Sequence, residues 1–276
     1  MAILDIMEAK HFCGGYSGSG GGVGRSFHQL TSTLPPNHTI SEGTPLFDEF
    51  RDNALREIER LLFLAASHYR RSFDLQITSA SSWAHVTLYY GAFFSAQAIL
   101  GIFGTWKLRD KYVLDVGNGT PGHQQFIVRK FPHTFKGPHR RFWEYFYSSV
   151  VTLSPWIDPS LQLAITPIHA RPTWQIDTRN DLNYDTYQAI QLISTFQASF
   201  RSSRLRSTLP GVLGTQFEVM EGLLQLAVKF AKENGIATDA LASLQPAGNR
   251  SKRVRDLVFK VPRPNLERHI KKKLMH

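Results

Sequence analysis

Residues Ser81 to Trp106 read "SSWAHVTLYYGAFFSAQAILGIFGTW", a stretch that is apolar on nearly every side of a helical wheel. A helix without a polar face is either a membrane span or the central element of a bundle. Burial within protein is the reading adopted. His85, Thr87, Ser95 and Gln97 interrupt the run, and neither a second span nor a basic flanking loop accompanies it. Gly91, Ser95 and Ala98 form a strip of small residues, which predicts that a neighbouring helix approaches closely there.

On the N-terminal side, Thr44-Pro45 has the form of a helix start, a hydroxyl cap followed by proline in the first turn. Phe47, Phe50, Ala54, Ile58, Leu61, Leu62, Ala65 and Tyr69 then keep helical spacing, predicting an amphipathic helix over about 45–71. On the C-terminal side, "KYVLDVGNGTPGHQQFIV" holds two runs rich in Val, Ile, Phe and Tyr around a glycine- and proline-rich turn. It predicts a β-hairpin inserted near 111–128. Helical pattern returns at "RRFWEYFYSSVVTL" and is broken by Pro155 and Pro159. A short helix near 160–169, two long helices over about 183–203 and 212–234, and a short one near 238–244 follow.

The fold class expected is therefore mainly α, a helical bundle with a small β-hairpin insertion. Residues 1–44 read as a flexible glycine-rich arm, because "CGGYSGSGGGVG" at Cys13–Gly24 would be entropically expensive to order. That run is not a phosphate-cradling loop, since it lacks both a preceding strand and the Gly-Lys-Ser/Thr that would follow. Residues 45–245 hold the bundle. Residues 246–276 form a basic tail in which Pro246, Pro262 and Pro264 argue against a continuous helix.

Hydrophobic residues make up 42% and aromatics 12% of the 276 residues, enough to bury a real core. The net charge of +10 is concentrated in the tail, where residues 249–276 hold ten Lys/Arg against Asp256 and Glu267. A single cysteine, Cys13, excludes an internal disulfide framework and a cysteine-based zinc site. "MAILDIMEAK" lacks a basic n-region followed by an apolar stretch. A cytoplasmic location is thus expected, with the Asn-x-Ser/Thr matches at Asn37, Asn118 and Asn249 irrelevant.

The second stretch that carries weight is "RNDLNYDTYQ", Arg179 to Gln188, read as a helix entry. Together with "SWAHVTLYYGAFFSAQAIL" it resembles the HEPN superfamily, helical bundles of bacterial toxin, antiphage-defence and nucleotidyltransferase-associated proteins. The resemblance spans roughly residues 45–204. Ribonuclease members carry an Arg-Asn motif ending in histidine, and cut RNA without a metal where two motifs meet across a dimer. On that likeness Arg179 takes the arginine position, Asn180 the following polar one, and Tyr184 the place of the histidine.

That tyrosine decides between activities. An unperturbed phenol near pKa 10 holds its proton too tightly to be a good base at neutral pH, and losing a tuned base costs about 10² to 10⁴ in rate. Arg179 still suits phosphate, because its planar fork matches phosphate oxygens and stays charged. His85 and His169 are the histidines that would substitute if either reached the Arg179 cleft, with Arg171 a neighbour of the latter. The bland alternative makes Arg179 and Asp181 a solvated helix entry, Asn180 an N-cap, Tyr184 and Tyr187 core aromatics, and His85 a hydrogen-bonded core residue.

The expected function is a non-catalytic or degenerate HEPN-like component that binds RNA, a nucleotide or a partner protein in a bacterial defence or toxin-antitoxin system. Its alternatives are a metal-independent endoribonuclease and a generic helical interaction scaffold. The resemblance implies a homodimer. Neither a cofactor nor a metal is expected, since HExxH, HxxxH, paired-carboxylate and GxSxG patterns are absent. In the tail Arg250, Lys252, Arg253, Arg255, Lys271, Lys272 and Lys273 are candidate nucleic-acid contacts. Phe259 is the tail's only aromatic apart from histidine, so sequence-selective stacking is not expected of it.

Overall fold

The computed structural model describes residues 3–16, 27–32, 34–77, 81–109, 112–117, 122–130, 137–167, 171–184 and 211–236. The described chain is mainly helical, with one four-stranded antiparallel sheet. Helix α3 (Pro45–Ile77) and helix α4 (Ser81–Ile102) form a long hairpin at its centre, and α8 (Gly211–Glu233) packs along α4. No helix among the described residues is long and apolar enough to cross a membrane.

Helix α3 starts as its sequence dictates. The Thr44 hydroxyl accepts the Phe47 N–H at 3.2 Å, and all eight apolar residues of the periodic series are buried. Gly91 of α4 lies where a Cβ would stand 2.5 Å from the Met220 methyl of α8, so the small-residue strip does admit a helix. Helix α4 ends earlier than expected. Gly104 turns the chain at φ +82°, and Thr105–Arg109 leaves as strand β2 rather than continuing to Trp106 as helix.

The expected hairpin is present as β3 (Tyr112–Gly117) paired antiparallel with β4 (Gln125–Lys130). It belongs to a larger sheet of order β1-β4-β3-β2, whose edge strand β1 is Thr39–Ser41. The sheet has one apolar face, where Leu114, Val116, Phe126 and Val128 are buried. Phe126 meets Phe12, Phe47, Phe50 and Trp106 at ring-centroid distances of 5.0–6.0 Å, tying the sheet to helix α1 (Ile6–Cys13) and to the first turns of α3.

The N-terminal segment corrects the expectation of an arm over 1–44. Helix α1 (Ile6–Cys13) is closed by a reciprocal capping box, in which Glu8 N–H donates to Asp5 and Asp5 N–H donates to Glu8, each at 2.8 Å. It buries Ala9, Phe12 and Cys13, and α2 (Phe27–Ser32) buries Phe27 and Leu30. The physical reason is that these apolar groups gain more from burial than the flanking glycines cost, so the chain on both sides of the glycine run folds onto the core. The run itself, 17–26, lies outside the described residues.

Beyond the sheet, α5 (Pro138–Val150) leads through a 3₁₀ turn at Val151–Trp156, which contains Pro155, and a second at Pro159–Leu161. Helix α6 (Gln162–Ile165) follows, matching the short helix expected near 160–169. Helix α7 is Trp174–Tyr184 and α8 agrees with the helix expected over 212–234. The expected helix over 183–203 falls outside the described residues except at its first two positions, and that near 238–244 falls wholly outside them.

Candidate functional site

Arg179 is not at a helix entry. Helix α7 begins at Trp174, so Arg179 and Asn180 sit in its second turn, and the helix N-terminus expected at Asn180 or Asp181 to supply anion-binding donors lies a turn and a half upstream. Polar anchors explain the earlier start. The Thr173 hydroxyl donates to Asp177 at 2.7 Å, while Trp174 Nε1 and Gln175 Nε2 both donate to the buried Tyr147 hydroxyl at 3.2 Å. Arg140 of α5 donates to Asp177 at 2.6 Å, fixing α7 against α5. Burial pushes the Tyr147 phenol up to about 12, so it stays a neutral hydrogen-bonding post.

Gln175 is fully buried, and Arg179 lies one helical turn further along the same face. Its half-buried guanidinium is thereby carried onto two tyrosines of α4, 5.5 Å from the Tyr89 ring centre and 5.9 Å from that of Tyr90. Among the described residues Arg179 makes no ion pair, and its Nε is buried without a hydrogen-bond partner. The Nε is closed to solvent, so only the outer nitrogens of this guanidinium, which also engages Tyr89, could meet an anion.

Tyr89 links this arginine to α5. Trp143 Nε1 donates to the Tyr89 hydroxyl oxygen at 3.4 Å, and that hydroxyl lies 2.8 Å from Nδ1 of His139. The direction of the Tyr89–His139 bond follows the imidazole tautomer, since the hydroxyl can both donate and accept. Burial pushes the Tyr89 phenol well up, against smaller opposing pulls from the Trp143 N–H and the Arg179 charge. At neutral pH it is deprotonated even less often than a free phenol, a poor substitute for the missing histidine.

His85 is a core residue and not a member of this cluster. It is buried, and its Nδ1 pairs with the Gln216 side-chain oxygen of α8. Burial lowers its pKa to about 4, so it is neutral near pH 7. Asn180 is half-buried on α7. The Tyr184 side chain, His169, and the tail cations Arg250, Lys252, Arg253, Arg255, Lys271, Lys272 and Lys273 lie outside the described residues. No three His, Cys, Asp or Glu among the described residues are grouped to hold a metal ion.

The sequence reading missed Tyr89, Tyr90, His139, Arg140 and Asp177. The first two stood in the quoted central stretch as a Tyr-Tyr pair, but which pair member faces which helix is fixed only by the packing of α5 and α7. No family model matches the chain, and no curated protein or solved structure is matched by it.

Proposed function

We propose that this chain is a phosphate-recognising helical module of HEPN-like type that binds RNA or a nucleotide without cleaving it. The observation that carries the reading is the half-buried Arg179 guanidinium, laid on Tyr89 and Tyr90 with no acidic partner among the described residues. Removing that side chain deletes the fork that would grip phosphate, whereas lysine keeps the charge and loses the fork.

Binding is favoured over cleavage because Tyr89, the phenol whose ring the arginine covers, is held protonated by burial. The resemblance in the two quoted stretches is what would place such a module in a bacterial defence or toxin-antitoxin system, acting on RNA or a protein partner, as a homodimer.

The test is anisotropy of a labelled single-stranded RNA titrated with the purified full chain in chelator, for wild type, Arg179→Ala and Arg179→Lys. Arg179→Ala should weaken binding at least tenfold with an unchanged melting temperature, Arg179→Lys should recover part of it, and the RNA should stay intact. Equal affinity in a folded Arg179→Ala protein would overturn the phosphate assignment. Cleavage that depends on Arg179 would overturn the non-catalytic assignment in favour of a metal-independent endoribonuclease.

A further inference from the structure

Helix α4 is buried all round except along one stripe. Between positions 83 and 97 solvent reaches Trp83, Thr87, Tyr90, Phe94 and Gln97, with every intervening residue buried. The spacing of four, three, four and three is a single helix face. An ordinary exposed face of a bundle helix is charged, but this one carries three aromatic rings and no charge, and Trp83 is 64% exposed.

Two neighbouring helices turn the stripe into the floor of a groove. On the α3 side His68 lies against it, its ring 6.2 Å from that of Tyr90 and 5.2 Å from that of Phe94. On the α5 side the His139 ring is 6.4 Å from Tyr90. The Tyr90 and Phe94 rings are 6.3 Å apart and inclined by only 30°, so they offer neighbouring faces of similar direction. Arg179 lies over Tyr90, midway along the stripe. At one end Gln97 lines a small cavity with Leu61, Phe142, Trp106, Lys107 and the acidic Glu57. From Trp83 to Gln97 the floor runs about 21 Å at the helical rise.

We infer that this groove is a stacking platform for single-stranded nucleic acid, with bases on Tyr90 and Phe94 and the backbone phosphate on Arg179. Planar rings half-open to solvent beside a guanidinium match the two parts of a nucleotide, and stacking of this kind is tolerant of sequence. Charge complementarity at Arg179, which lies over the Tyr90 ring, selects an anion over an apolar peptide or a second copy of this basic chain, whereas the Gln97 end carries Lys107 and Glu57 together. The inference rests on the phosphate role of Arg179 and adds what lies beside it. It also places base recognition in the bundle rather than in the tail.

The experiment compares three labelled probes bound to the full chain: a single-stranded oligoadenylate, the same length of abasic sugar-phosphate chain, and the duplex form. Variants are Tyr90→Leu, Phe94→Leu, the pair together, and the ring-preserving Tyr90→Phe and Phe94→Tyr, each checked by its melting temperature. Each leucine change should weaken oligoadenylate binding about tenfold and leave the salt dependence of binding unchanged. The ring-preserving changes should restore it, and the abasic and duplex probes should bind more weakly than oligoadenylate in wild type. If the abasic chain binds as well, the leucine variants bind like wild type and Arg179→Ala still weakens binding, the platform is overturned while the phosphate site stands. If Arg179→Ala is also without effect, both fall. Self-association abolished by the leucine pair, with no oligonucleotide bound, would assign the groove to a second copy instead.

Discussion

Two buried groups titrate in opposite senses, and separating them tests the core assignment of His85. Burial lowers His85 to about 4 from 6.5, so between those values the unfolded chain binds a proton that the folded chain does not. Stability must then rise with pH across that window and be lost as pH falls through it. Asp115 is the reverse case. Burial raises it to about 6 from 3.8, against the opposing pulls of the Thr105 hydroxyl, which donates to it at 2.9 Å, and of Arg129. The Arg129 Nε stands 3.3 Å away but is not aligned as a hydrogen bond. Here the folded chain holds the proton that the unfolded chain has released, so stability falls as pH rises through the window.

At 1.36 kcal/mol per pKa unit each effect amounts to about 3 kcal/mol, and over roughly pH 4–6 the two nearly cancel. Single variants should uncover them. In His85→Gln the stability difference from wild type should grow more unfavourable as pH rises from about 4 to 6, by an amount worth about 6–12 °C in melting temperature. Asp115→Asn should show the opposite trend, gaining on wild type as pH rises. Thermal melts followed by circular dichroism at half-unit pH steps, subtracted from wild type, give both slopes directly. A His85→Gln curve parallel to wild type across pH 4–6.5 would refute a buried neutral His85 and return it to the list of accessible histidines.

Gly104→Ala should destabilise by about 2 kcal/mol, because φ of +82° is strained for any side chain and the new Cβ would stand 2.8 Å from Leu4; denaturant melts read the loss directly. Asp5→Ala removes one half of the α1 capping box and should cost about 1 kcal/mol, with faster proteolysis near α1 as a second readout. Arg140→Ala releases Asp177 at a partly exposed pair, so its effect on the melting temperature should be slight, since such pairs are worth at most about 1 kcal/mol. RNA affinity should nonetheless fall in Arg140→Ala, because α7 then holds Arg179 less firmly.

Periodic burial made α3 legible, as every member of the series from Phe47 to Tyr69 is buried. The hairpin was legible from its turn residues. The sheet around it was not. Strand β2 follows an apolar helix with only the turn at Gly104 between them, while β1 is three residues long and paired only through tertiary structure. Helix α1 carries a capping signature, Asp5 and Glu8 three apart ahead of Ala9, Phe12 and Cys13, but the glycine run that follows it predicts an arm. At the site, the choice of Arg179 came from a motif, but its placement in α7 depends on anchors at Tyr147 and Arg140 that are distant in sequence. Among the polar interruptions of α4, Thr87 and Gln97 lie on the exposed stripe, whereas His85 and Ser95 are buried; residue type alone does not separate them.

The most direct measurement is where RNA touches the protein. Single-stranded RNA carrying 4-thiouridine, crosslinked to the full chain by long-wavelength light and mapped by mass spectrometry, should leave adducts on the α4 peptide containing Tyr90 and Phe94, and these should be lost in Arg179→Ala. Adducts confined to residues 249–276, with α4 unmodified and the pattern unchanged in Arg179→Ala, would contradict a binding site in the bundle.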